Sequence, residues 1–157
     1  MNRNEAAVHE GAEVARHMAQ TAARAAADML GQDVTIIDLR GLISYTDYFV
    51  VTSAETERQA RRIVDEVLEK MREEGYRPTS RRYDEGSAWI SLDFLDVIVH
   101  VFTDEARDYY RLESLWRAAP RRHWEALSSS PMLERPQARR ASTSILLAQR
   151  QHRERND

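Results

Sequence analysis

Two carboxylates and a histidine, Asp93, Asp96 and His100, follow a Gly86-Ser87 pair within one short stretch, and they are the side chains best suited to chemistry in this chain. A Gly-Ser turn followed by two carboxylates on one strand is how a nucleotidyl-transferring site holds magnesium and aligns phosphates. Residues that share a strand face are two apart, however, and Asp93 and Asp96 are three apart with Phe94 and Leu95 reading as a turn between them. The spacing specifies metal geometry poorly, so a divergent nucleotidyltransferase using Asp93 and Asp96 with magnesium stands only as the alternative. His100 alternates with Ile98 and Phe102, the pattern of a hydrogen-bonded core histidine more often than of a base. There is no Gly-rich phosphate loop, no nucleophile elbow and no His pair at metal spacing. Cysteine is absent, which removes thiolate nucleophiles, disulfides and zinc knuckles. No enzyme, metal or cofactor is expected.

The elements that must position these residues centre on Trp89 to Phe102. Asp96 to Phe102 is an almost unbroken β-branched run without Gly or Pro, which predicts a strand covered on both faces in the middle of a sheet. Before it, Trp89, Ser91 and Asp93 share one strand face and Ile90 and Leu92 the other. Trp89 has two readings, a core residue or a partly exposed anchor among small polar neighbours.

Around this centre, helical periodicity predicts a helix from about Ala6 to Leu30 with Gly31 as its stop, and its first turns carry little beyond Val8 to bury. Asp33 to Leu39 and Asp47 to Ser53 read as strands close enough to pair antiparallel. Thr56 with Gln59 caps a helix that runs to about Glu74, its outer face carrying the i, i+4 pairs Arg61–Asp65, Arg62–Glu66 and Glu66–Lys70. Pro78 to Asp84 is a weak edge strand, and with the two strands after it forms a meander. Thr103 caps a further helix whose stripe of Ala106, Tyr109, Leu112 and Trp116 should return onto the sheet, with Tyr110 at its border. After Pro120 the chain reads as linker and tail, with a marginal helix at Ala138 to Arg150. The fold class is α/β: a single domain with a mixed sheet of about five strands flanked by helices.

At 157 residues the chain holds one domain plus extensions. No apolar run is long enough to span a bilayer and no signal-peptide pattern is present, so a soluble, cytoplasmic protein without membrane contact is expected. Met1 to Trp116 carries 14 basic and 22 acidic side chains, net -8, and Arg117 to Asp157 carries 9 and 4, net +5. Nearly every base is Arg, which favours planar partners such as phosphate or carboxylate. The basic tail could add a weak, sequence-independent contact to nucleic acid, but a solvated, disordered tail is the favoured reading.

Five motifs gather into a pattern: DLRG at Asp38 to Gly41, TDYFVVTS at Thr46 to Ser53, ERQARRIVD at Glu57 to Asp65, EGSAWISLDFLDVIVHVF at Glu85 to Phe102 and RDYYRLESLW at Arg107 to Trp116. In order and spacing they resemble the ribosomal silencing factor (Iojap) family over about Val14 to Trp116. The resemblance implies a silencing-factor domain at 14–118, and the residues outside it read as a helical extension at 1–13 and a basic, flexible tail at 119–157. It also implies a non-enzymatic α/β fold, distantly nucleotidyltransferase-like, that binds the large ribosomal subunit through universal ribosomal protein fourteen. Family members so block joining of the small subunit and repress translation when nutrients are short. The implied contact surface is Trp89, Leu92, Asp93, Phe94 and Asp96. A homodimer in free solution is also implied, with Tyr109 and Tyr110 beside the same surface, and the tail could touch ribosomal RNA weakly.

Two departures from the family pattern stand out. The family usually has Gly before its last long strand, where this chain has Leu95, and after the second strand, where it has Ala54. If either position needs a positive φ, the substitution costs about 1 kcal/mol.

Overall fold

The chain begins with a reciprocal cap on helix α1, Arg3–Asp28: the Glu5 N–H donates to Asn2 Oδ1 at 2.9 Å and the Asn2 N–H to Glu5 Oε2 at 3.0 Å. Polar caps rather than apolar periodicity set a helix start, so α1 begins before Ala6. The computed structural model describes residues 2–84 and 86–124. The helix expected at Ala138 to Arg150 lies outside them.

Burial along α1 begins at Ala15 and is carried mainly by alanine, while Val8 is 69% exposed. Small side chains let α1 lie close to helix α2, Glu57–Glu73, and to the sheet beneath both. The end of α1 differs from expectation. The Gly31 N–H donates to Ala26 O and the Leu30 N–H to Ala27 O, the paired bonds of a Schellman ending, but Leu30 and not Gly31 takes the left-handed backbone at φ 63°. Gly31 is required for another reason: a Cβ there would lie 2.6 Å from Thr52 Oγ1 and 2.8 Å from Ala26 O. α2 ends in the same motif with Gly75 in the left-handed position, as its sequence predicts.

Six strands form one mixed sheet: β1 Gln32–Asp38, β2 Tyr48–Ala54, β3 Ser80–Asp84, β4 Trp89–Asp93, β5 Val97–Thr103 and β6 Arg121–Trp124. Their order is β3-β4-β5-β2-β1-β6, with β2 and β5 parallel and every other neighbouring pair antiparallel. The antiparallel β1–β2 pair and the β3-β4-β5 meander follow the sequence reading, and β5 sits inside the sheet as its β-branched run requires. β6 corrects that reading. Its residues after Pro120 do not belong to a tail but pair with β1, Ile37 opposite Arg121 through Val34 opposite Trp124, and Asp38 N–H donates to Pro120 O. Four charged or aromatic residues give no strand alternation; they are held because β1 offers an open row of donors and acceptors.

Helices α1 and α2 cover one face of the sheet, over Val34, Ile36, Val50, Ile90, Leu92, Val97 and Val99. Helix α3, Asp104–Tyr110, and the 3₁₀-helix Leu112–Trp116 cover the other, over Ile37, Phe49, Val51, Trp89, Ile98 and Phe102. β5 therefore packs on both sides. The expected α3 stripe is only partly right. Ala106, Leu112 and Trp116 are buried, but Arg111 takes φ 49° and breaks the helix, so Tyr110 turns inward and Tyr109 is left 80% exposed.

Candidate functional site

Trp89 opens β4 at the end of the sheet nearest α3. Its ring lies 4.7 Å from Phe102 and 4.6 Å from Tyr110, centroid to centroid, and only 3% of its surface is exposed. The indole Nε1–H donates to His100 Nδ1 at 3.1 Å. Because Nδ1 accepts, the neutral ring carries its proton on Nε2. Ser91 Oγ stands 3.4 Å from the same nitrogen and Phe49 meets the imidazole edge-on at 4.5 Å. Register explains the cluster, since Trp89 pairs with Phe102 and Ser91 with His100 across β4 and β5. The partly exposed anchor is thus corrected: Trp89 is a core side chain with its one polar atom satisfied, and His100 supplies the acceptor.

The acidic turn lies at the other end of β4, about 13 Å away along the strand. Phe94 N–H donates to Val97 O at 2.8 Å, leaving Leu95 and Asp96 as a two-residue loop. Leu95 has φ 73° and is 60% exposed, in the first loop position where hairpins favour glycine. Asp93 Oδ1 accepts from the Leu95 N–H at 2.8 Å, which holds the strained residue in place. The other departure is harmless: Ala54 is buried in β2 and has no positive φ. Asp96 O accepts from the N–H groups of Asp47 and Tyr48, bringing two acidic residues together. Burial, and then the Asp96 charge, push the Asp47 carboxyl above its ordinary value.

The residues expected to form one contact surface are therefore divided. Leu92 and Phe94 are buried beneath α1 and α2, while Trp89 is buried under α3. Asp96, Leu95 and Tyr109 are exposed, and Asp93 and Tyr110 are half-buried. The turn residues Leu95 and Asp96 and the tyrosines Tyr109 and Tyr110 therefore lie toward opposite ends of β4, with Phe94 buried beside the first and Trp89 packed on Tyr110 at the second.

The carboxylates and the Gly-Ser pair are also apart. Gly86 and Ser87 lie in the turn before β4 while Asp93 ends it, so the strand, about 13 Å of extended chain, stands between them. Ser87 Oγ accepts from Arg61 Nη1 at 3.2 Å, a bond that replaces the expected pairing of Arg61 with Asp65. Among the described residues no three His, Asp or Glu side chains are grouped as metal ligands. The arrangement does not gather phosphate, metal and base at one point.

Two features escaped the sequence reading. Arg107 of the RDYYRLESLW motif donates to Gln32 O at 3.0 Å, Asp33 O at 2.9 Å and Ser53 Oγ at 3.1 Å, and it pairs with Glu113. It ties α3 and the 3₁₀-helix to the ends of β1 and β2. Arg16, Arg40 and Arg122 meet at one notch although they are far apart in the chain. No local signal connects such positions.

A single mixed α/β domain whose Gly-Ser pair and carboxylates stay apart among the described residues is the class that this fold and site define. The family model described as ribosomal silencing factor during starvation matches residues 12–153. The chain belongs to the ribosomal silencing factor family. The match runs well past Trp116, where the sequence reading ended its resemblance. A ribosomal silencing factor of Bacillus subtilis is 32% identical over 99 residues, which is 63% of this chain and 84% of that protein. One from Halalkalibacterium halodurans is 30% identical over 105 residues, 67% of this chain and 90% of that protein. A crystal structure of a Chromobacterium violaceum protein superposes with a TM-score of 0.62 at 25% identity, covering 82% of this chain and 95% of that one. Among the described residues no helix is long and apolar enough to cross a membrane.

Proposed function

We propose that this protein binds the large ribosomal subunit through universal ribosomal protein fourteen, prevents docking of the small subunit and so represses translation when nutrients are limiting. The observation that carries this reading is the family match over residues 12–153, together with relatives named as ribosomal silencing factors. The protein acts in the cytoplasm by occupying a surface and not by catalysing a reaction. Its contact edge runs the length of β4, from Asp93 and Asp96 with Leu95 between them at one end to Tyr109 and Tyr110 about 13 Å away at the other, supported from beneath by Trp89, Leu92 and Phe94. In free solution the same edge joins two copies in a homodimer, which covers the exposed aromatic surface of Tyr109.

Co-sedimentation with purified large subunits, followed by addition of small subunits, tests the reading. The protein is expected to pellet with the large subunit and to lower the yield of joined ribosomes. Failure to pellet, or joining unaffected at saturation, refutes it. Light scattering at tens of micromolar, an order-of-magnitude choice above ordinary affinities of about 1 μM, should show a dimer that large subunits dissociate.

A further inference from the structure

Between α1, the residues after β1 and strand β6 lies a notch of about 90 Å³ whose polar lining is Arg16, Gln20, Asp38, Arg40, Tyr48, Arg121 and Arg122. Four arginines from three separate segments line it together with one carboxylate. That carboxylate is already engaged: Asp38 accepts from Arg40 Nε at 2.9 Å and Nη2 at 2.6 Å, and from the Arg40 N–H at 3.1 Å. The fork fixes Arg40, whose guanidinium carbon also lies 5.3 Å from the centre of the Tyr48 ring. Arg40 is thus held in place with its outer N–H groups still available. Arg16 is exposed and makes no hydrogen bond or ion pair among the described residues. Arg122 lies opposite Ile36 in the β1–β6 pair, on the sheet face that α1 covers, whereas the neighbouring Arg121 turns to the other face and donates to Glu113 O. Burial, then the Asp38 charge, push the Tyr48 phenol up, and Arg40 and Arg16 pull it down, so the hydroxyl shares the field of this cluster and remains a donor.

We propose that this notch is a phosphate-binding site and that Arg16, Arg40 and Arg122 take a backbone phosphate of single-stranded RNA. A void of this size has room for one tetrahedral oxyanion in place of water, and planar guanidinium forks match phosphate oxygens in pairs. The positive track continues beyond the notch. Arg24 lies further along α1, about 12 Å from Arg16, and its guanidinium carbon sits 5.8 Å from the centre of the Trp124 ring, two residues beyond Arg122 on β6. A track favours a polyanion with regularly spaced charges over an isolated ion. It also stands out on a chain whose formal charge is -3. That the RNA is ribosomal rests on the proposed function; the phosphate site does not.

The test uses the full chain and a short fluorescein-labelled single-stranded RNA, read by fluorescence anisotropy, with inorganic phosphate and poly-glutamate as competitors. Arg16→Glu with Arg122→Glu should weaken RNA binding by about tenfold or more, and Arg16→Ala with Arg122→Ala should flatten the log–log salt slope by up to about 0.7, the value for one lost phosphate contact. Inorganic phosphate should compete only at far higher concentration than RNA. No RNA binding by the wild type, wild-type affinity in the charge-reversed variant, or poly-glutamate competing as well as RNA would each overturn the proposal, the last in favour of an acidic protein partner. If the double variant fails to fold, Arg16→Glu alone, an exposed helix position, carries the test with a several-fold loss expected. Co-sedimentation of the same samples with large subunits keeps the two readings apart. A wild type that binds RNA but not subunits refutes the proposed function and spares the notch, whereas one that binds subunits but not RNA does the reverse.

Discussion

The indole N–H of Trp89 donates to Nδ1 of His100 across two neighbouring strands, and both rings are buried. A buried indole needs an acceptor, and an imidazole held in the Nε2–H form supplies one without introducing charge. The most conspicuous aromatic of the acidic stretch is therefore a structural residue, and any effect it has on a partner passes through α3 and Tyr110.

Replacing Trp89 distinguishes packing from contact. Trp89→Ala should cost about 3 to 5 kcal/mol of stability through the cavity it leaves, and Trp89→Phe about 1 kcal/mol by removing one hydrogen bond to His100 Nδ1, which keeps Ser91 Oγ at 3.4 Å as its other neighbour. Thermal melting checks both. A Trp89→Ala protein that melts like the wild type would contradict the burial seen here.

Leu95 carries backbone strain at an exposed tip. Leu95→Gly removes the left-handed penalty of about 1 to 2 kcal/mol and gives part of it back as unfolded-chain entropy, so a net gain of about 0.5 to 1 kcal/mol is expected in denaturant melts. If the tip also contacts a partner, the same variant binds large subunits more weakly while being more stable. Opposite signs in the two measurements identify a functional strain; a loss of stability would show that Leu95 packs more than its exposure indicates.

Asp47 makes stability depend on pH in a defined direction. Its folded-state pKa is raised, first by burial and then by Asp96, so the folded protein holds this proton more tightly than the unfolded chain. Stability from this group declines as pH rises from the ordinary Asp value of 3.8 through the raised one, and the cost persists above it. Asp47→Asn should remove that decline and raise the melting temperature at neutral pH, with Asp96→Asn doing the same in part. Urea melts across this range decide, and an unchanged pH profile in Asp47→Asn would show that the carboxyl is not perturbed.

Two truncations should differ sharply. A chain ending after Ala118 loses β6, exposes the edge of β1 and uncovers the apolar surface under Trp124, so it should be strongly destabilised or fail to fold. A chain ending after Trp124 keeps all six described strands and should fold and melt cooperatively. Comparing it with the full chain for subunit binding at several salt concentrations tests the tail itself. Equal affinity and equal salt slope are expected if residues beyond 124 are only solvated.

Much of the architecture is carried by short-range chemistry that a sequence displays directly. Thr56 and Thr103 cap their helices by accepting the N–H three residues on, Gly75 ends α2 in the left-handed region, and the β-branched run of β5 suits a strand packed on both faces. Each depends on sterics or on donors within a few residues, and so does the order of motifs that points to the family. Tertiary structure decided what those signals leave open. Trp89 is buried because Phe102, His100 and Tyr110 reach it from β5 and α3, and its own small polar neighbours give no hint of that cover. RRHW became a strand because β1, more than 80 residues earlier, had an unpaired edge, with Val34 opposite Trp124. Arg16, Arg40 and Arg122 became neighbours through the same pairing. Contacts between distant segments are set by register and by which edges remain open, and neither quantity exists until the sheet is assembled.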